Sequence, residues 1–148
     1  MTPDTLKQIN NLSVDFNKPL LIFDADEVLV LFASHFSTYL TQQGWSLNLK
    51  SYRLDDAIQH IHDGHLADKK TYQSLISNFI NQETAKQPEA PGASETLNEF
   101  KERAEIVILT NVPKSAYHQR LKNPSDLQMR YPIICTSGLK GPALLELS

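Results

Sequence analysis

Residues Pro19-Leu20-Leu21-Ile22-Phe23-Asp24-Ala25-Asp26-Glu27-Val28-Leu29-Val30 form an apolar run that stops at two carboxylates spaced i, i+2 and then resumes. A continuous Leu/Ile/Phe run is the pattern of a strand buried on both faces, as in a parallel sheet. Open α/β sheets collect their ligands at the carboxyl ends of such strands. If the extended geometry persists, side-chain alternation puts Asp24 and Asp26 on the same side. Like charges held that close repel unless a cation or a shared proton intervenes. The run therefore predicts a strand from Leu20 to Asp24 with a site at its end suited to a hard metal ion.

Two more strands follow from the same pattern. Glu105-Ile106-Val107-Ile108-Leu109-Thr110-Asn111 is again apolar and ends in polar residues, and Tyr131 to Thr136 reads as a third strand. Helical spacing predicts helices over Ala93–Glu102 and Pro113–Leu121, and a short helix or a loosely docked leader over Thr5–Leu12, while Asn123-Pro124 repeats a cap-plus-proline signal. Strands alternating with helices predict an α/β class, a Rossmann-like parallel sheet. Residues 33–90 break that alternation with helical patterns alone. They cover Phe32–Gln43, ended by Gly44, then Tyr52–His62, then Asp68–Asn81 with Asp68 as N-cap, and a polar connector from Gln82 to Pro91. The expected organisation is a discontinuous core of residues 1–32 and 91–148, with an all-helical insertion over 33–90 after strand one. Trp45, Phe32, Phe36 and Tyr39 are expected to pack that insertion against the sheet.

The whole chain narrows the function classes. Its 148 residues fit one domain with a small insertion. A formal charge of −3 gives no electrostatic case for nucleic acid or an anionic membrane. The single Cys135 cannot form an internal disulfide, and its apolar strand neighbours predict an inert thiol. Neither a signal-peptide core nor an apolar stretch of bilayer length is present in the sequence, so a cytoplasmic location is the expectation.

Three polar signals sit at three predicted strand ends: Asp24 with Asp26, Thr110 with Asn111, and Lys140 just after strand three. In a parallel sheet these ends share one edge, so groups distant in sequence converge in one crevice. Carboxylates, a hydroxyl and a lysine suit a phosphoryl group. Mg²⁺ takes one or two carboxylates plus substrate phosphate, lysine offsets negative charge, and a threonine hydroxyl donates to a phosphate oxygen.

Three motifs carry a family resemblance. Asp24-Ala25-Asp26-Glu27-Val28 follows an apolar strand, Ile106-Val107-Ile108-Leu109-Thr110 is a strand ending in threonine, and Gly138-Leu139-Lys140-Gly141-Pro142 sets a lysine ahead of a helix. In these the chain resembles the haloacid dehalogenase-like superfamily, mostly Mg²⁺-dependent phosphatases and phosphotransferases. The resemblance covers strand one and everything from Pro91 onward, and implies that the all-helical segment 33–90 is a cap inserted after strand one. It implies that Asp24 attacks phosphorus to form an aspartyl-phosphate, and that Asp26 protonates the leaving oxygen and then activates water. Thr110, with Asn111 beside it, would bind the phosphoryl group, and Lys140 would stabilise nucleophile and intermediate. Mg²⁺ would be held by the Asp24 carboxylate and the Asp26 carbonyl. The second aspartate favours phosphoryl transfer over dehalogenation. The implied activity is a phosphoric monoester hydrolase acting on a small phosphorylated molecule.

The family's fourth motif, an acidic pair on a strand beyond the lysine, has no counterpart in the eight residues after Lys140. Its strand would flank strand one, so Leu20–Asp24 is expected to be an apolar edge that invites association. That predicts an N-terminal portion of a longer protein, or an edge covered by a C-terminal fragment or a second copy of the chain. Two further functions stay in play: a catalytically silent or truncated binding protein, and a receiver-like phosphoacceptor module. His60, His62 and His65, with Asp63, read as a polar helix end and turn in the cap, because a helix would point His60 and His62 to different faces. Glu27 is expected to point away from the phosphate.

Overall fold

The computed structural model describes residues 1–15, 17–50 and 53–148. In chain order its elements are α1 (Pro3–Asn10), β1 (Leu20–Phe23), α2 (Ala33–Gln42), β2 (Trp45–Leu47), β3 (Ile58–His60), α3 (Lys69–Glu83), α4 (Ala93–Phe100), β4 (Glu105–Asn111), α5 (Tyr117–Asp126), β5 (Ile133–Thr136) and α6 (Gly141–Leu147). Single 3₁₀ turns at Thr84–Lys86 and Lys114–Ala116 precede the α4 region and α5. β1, β4 and β5 form a parallel sheet in that order, so the chain is a mixed α/β fold consistent with a Rossmann-like arrangement. No helix among the described residues is long and apolar enough to cross a membrane.

β4 shows why continuous apolar runs predict such strands. Ile106 and Ile108 face a cluster with Leu97 of α4, Ala25 and Met129, while Val107 and Leu109 face Ile134, Ala143 of α6 and Ile9 of α1. Helices cover both faces, so both alternating sets must be apolar. Cys135 is buried on β5, and burial pushes its thiol up to about 11, against a smaller opposing effect of Arg120. The thiol is inert at neutral pH.

The two sheet edges are treated differently. At the β5 edge, Gln8 of α1 donates from Nε2 to the Cys135 carbonyl at 3.1 Å and accepts the Cys135 N–H on Oε1 at 2.8 Å. A side-chain amide thus takes the place of a fourth strand and closes that edge. β1 pairs with β4 on one side, and its other side carries no strand among the described residues.

Several expectations are corrected. Residues 33–90 are not all helical, because β2 and β3 form an antiparallel hairpin with Trp45 opposite His60 and Leu47 opposite Ile58. The helix expected over Tyr52–His62 is replaced there by β3, and its first residue, Tyr52, lies outside the described residues. Ile58 and Ile61 sit at a helical spacing, yet Ile58 is buried and Ile61 exposed, as strand pairing followed by a turn requires. Phe36 and Tyr39 do not join this segment to the sheet. With Leu40, Ile58, Ala67, Leu75 and Phe79 they make a separate cluster between α2, α3 and the hairpin, on which Phe32 and Trp45 also pack. Pro124 does not break α5. It lies one turn from the helix end, and its carbonyl accepts Met129 N–H at 2.8 Å. The stretch from Gln82 to Pro91 is not a plain connector either, since it begins inside α3 and buries Thr84 and Gln87.

Candidate active site

The chain leaves β1 at Phe23 and turns at once. The carbonyl of the fully buried Ala25 accepts N–H groups from Val28, Leu29 and Val30 at 3.3, 2.9 and 3.0 Å, and Glu27 N–H returns to the Val30 carbonyl at 2.8 Å. Extended geometry therefore ends before Asp26, and the two aspartates do not continue a strand face. Each meets a cation of its own. Asp24 Oδ2 lies 2.6 Å from Lys140 Nζ, while its Oδ1 accepts the Ala25 N–H at 2.7 Å. Asp26 Oδ1 accepts from Arg120 Nη2 at 2.7 Å and from Gln87 Nε2 at 2.9 Å. The like-charge repulsion expected between them is offset by Lys140 and Arg120, so it does not by itself demand a metal ion.

Lys140 reaches Asp24 because the loop before α6 is anchored. Asn111, the last residue of β4, donates from Nδ2 to the Gly138 carbonyl at 3.0 Å. Alternation puts Thr110 on the opposite face of β4. Thr110 is fully buried, its hydroxyl has no partner among the described residues, and its carbonyl accepts from Thr136 Oγ1 at 3.3 Å. The structure thus brings Asp24 and Lys140 into direct contact, with Asn111 tethering the lysine loop. Thr110 stands at the same sheet edge with an uncommitted hydroxyl.

Arg120, Gln87 and Glu27 were not visible as site residues. Arg120 is 2% exposed on α5, and Gln87, in the stretch expected to be a polar connector, is 1% exposed beside the 3₁₀ turn. Asn123, equally buried, donates to the Gln87 carbonyl at 2.9 Å and holds that segment in place. Glu27 adopts φ +59°, and its Oε1 accepts N–H groups of Phe32 and Ala33 at 2.7 and 2.6 Å. The carboxylate therefore caps α2, where free N–H groups and the helix dipole favour negative charge. Glu27→Ala is expected to cost about 1–2 kcal/mol and Glu27→Gln appreciably less, read from urea midpoints. An unchanged Glu27→Ala midpoint would remove the capping role.

The donor set fits a hard cation. Asp24 is 45% exposed at its side chain, and no N–H among the described residues reaches the Asp26 carbonyl. A half-exposed carboxylate and a carbonyl without an N–H partner match the habit of Mg²⁺, which keeps several waters and takes one or two protein oxygens plus phosphate. Comparison with protein-family models and with curated proteins finds no match to this chain.

Proposed function

We propose that the chain is a Mg²⁺-dependent phosphoryl-transfer hydrolase of the haloacid dehalogenase-like superfamily, acting on a small phosphorylated molecule through Asp24. The observation that carries this reading is the 2.6 Å contact between Asp24 and Lys140, which joins the end of β1 to a loop far along the chain. A half-exposed carboxylate with an ammonium beside it is placed to attack an anionic phosphorus centre, which water alone would leave repelled.

The chemistry divides among the residues as follows. An Asp24 oxygen forms a bond to phosphorus while the bond to the leaving oxygen breaks, giving an aspartyl-phosphate. Asp26 donates its proton to that leaving oxygen, then takes one from water as the water attacks phosphorus and frees Asp24. Arg120 and Gln87 bind Asp26 through Oδ1, which leaves Oδ2 for both proton transfers. Lys140 offsets charge on Asp24 and on the phosphoryl oxygens. Thr110 supplies an uncommitted donor, and Asn111 positions the lysine loop. The Asp24 carboxylate and Asp26 carbonyl would hold Mg²⁺, which when bound neutralises phosphate charge. Residues 33–90 act as a cap that closes over substrate and excludes water. The side of β1 that carries no strand among the described residues would take a second copy of the chain, which light scattering tests.

The test is hydrolysis of p-nitrophenyl phosphate with and without Mg²⁺, beside Asp24→Asn. The expected result is turnover that needs Mg²⁺ and falls by roughly 10³-fold or more in the variant. Equal rates for the two proteins would overturn the assignment. A second reading, a silent phosphate-binding protein, draws on the fact that both aspartates already hold a cation. It predicts Mg²⁺ or phosphate binding without turnover. A receiver-like phosphoacceptor is disfavoured, because β4, the middle strand, ends in Thr110-Asn111 and offers no aspartate.

A further inference from the structure

The hairpin that replaces the expected helix changes what His60 and His65 can do. After the turn at Gly64 the chain runs back along β3: His60 N–H donates to the His65 carbonyl at 2.9 Å, Gln59 bridges Leu66, and Ala67 N–H donates to the Ile58 carbonyl at 2.9 Å. Residues opposite one another in antiparallel pairing share a face. Leu47, Ile58 and Ala67 form one row that packs into the cluster around Phe79, and Trp45, His60 and His65 form the next row outward.

The outer row is a compact array. The His60 and His65 rings stack with centroids 4.9 Å apart and 18° between planes, and Trp45 meets both edge-on at 5.1 and 5.5 Å. Asp63, in the turn, accepts the His65 N–H on Oδ1 at 3.1 Å and also contacts the His65 Nδ1. His60 Nδ1 lies 3.6 Å from the same Oδ1, is shielded from solvent, and has no hydrogen-bond partner among the described residues. One ligand atom from each of the three residues lies within 4.8 Å of the other two. Two imidazoles and a carboxylate thus converge at the hairpin tip.

We propose that His60, Asp63 and His65 form a binding site for a divalent transition ion of the Zn²⁺ class at the tip of the β2–β3 hairpin. Two nitrogens and one carboxylate oxygen select Zn²⁺, Co²⁺ or Ni²⁺ over Mg²⁺, which prefers oxygen alone. Ligands about 2.1 Å from a tetrahedral ion stand about 3.4 Å from one another, close to the 3.6 Å between His60 and Asp63. Residues 61–66 are exposed, so water has access to complete the coordination. A bound ion would tie the turn to β3 and fix the hairpin tip. This site is independent of Asp24 and of the phosphatase reading.

Trp45 is the chain's single tryptophan and lies against both histidine rings, so it reports occupancy directly. Co²⁺ titrated into tag-free protein is expected to quench Trp45 fluorescence saturably at one equivalent and to raise a visible d–d band. Zn²⁺ should displace it and millimolar Mg²⁺ should not. His65→Ala alters an exposed side chain and should keep the native far-UV spectrum, yet raise half-saturating Co²⁺ beyond the roughly 10–100-fold that loss of a mere supporting residue causes. Asp24→Asn should leave the titration unchanged. Equal quenching in wild type and His65→Ala would overturn the proposal. So would a fluorescence change with pH that Co²⁺ and Zn²⁺ leave untouched, since the three groups would then share only protons.

Discussion

Asp26→Ala is expected to destabilise the protein by about 3–5 kcal/mol, a loss that would show in a urea midpoint before any assay of activity. Arg120 is 2% exposed, its Nη2 donates to Asp26, and its Nε and Nη1 have no partner among the described residues. A guanidinium cannot shed its proton to escape burial. Removing Asp26 therefore strands a buried charge. The reverse change is milder: Asp26 keeps 30% side-chain exposure and the Gln87 amide, so Arg120→Met leaves a carboxylate that water still reaches. Asp26→Ala combined with Arg120→Met should cost clearly less than the sum of the two single changes, with a coupling energy of about 2–3 kcal/mol in the double-mutant cycle. Simple additivity would show that the ion pair contributes nothing. Asp26→Asn keeps an acceptor oxygen for Arg120 and is the variant with which to test acid–base chemistry, because lost turnover in it is not explained by unfolding.

Legibility in the sequence followed burial geometry. β4 and β5 are largely buried and β1 is half-buried along its whole length, so each is a continuous apolar run, and their strand ends pointed to Asp24, Thr110 and Lys140. The hairpin was hidden because β2 and β3 span three residues each, too few for alternation to outvote the helical spacing of Ile58 and Ile61. The turn after Asp24 was hidden because it depends on Ala25 gathering three N–H groups, and nothing in local propensity marks that carbonyl. Arg120 was hidden for a different reason. A single arginine on a polar helix reads as solvated, and only the packing of α5 against the Thr84–Lys86 turn buries it beside Asp26. Separate cations for two aspartates two residues apart are likewise a product of tertiary structure. Gln8 closing the β5 edge was equally silent, since one glutamine on a short amphipathic helix carries no pattern.

Phe79→Ala is expected to cost about 3–5 kcal/mol, the range for emptying a large aromatic site that its neighbours cannot refill. Phe79 is fully buried, and Phe32, Phe36, Tyr39 and His35 surround its ring at 5.2, 4.8, 5.5 and 5.7 Å. These four project from α2 or its first turn, so collapse into the vacated space would have to move the whole helix. Phe79→Leu, which returns most of the volume, should cost about 1–2 kcal/mol. Trp45 packs on the same cluster and serves as the fluorescence reporter. The location of the damage is as informative as its size. The cluster around Phe79 shares no buried residue with the one containing Leu97, Ile106 and Ile108, and the two pairing segments 29–31 and 88–90 carry the chain between them. Hydrogen exchange in Phe79→Ala should therefore lose protection in α2, α3 and the hairpin while β4 amides keep theirs. Loss of protection in β4 to the same degree would mean that the two clusters unfold as one unit. A cap that moved over Asp24 during turnover could then not do so by loosening its own core.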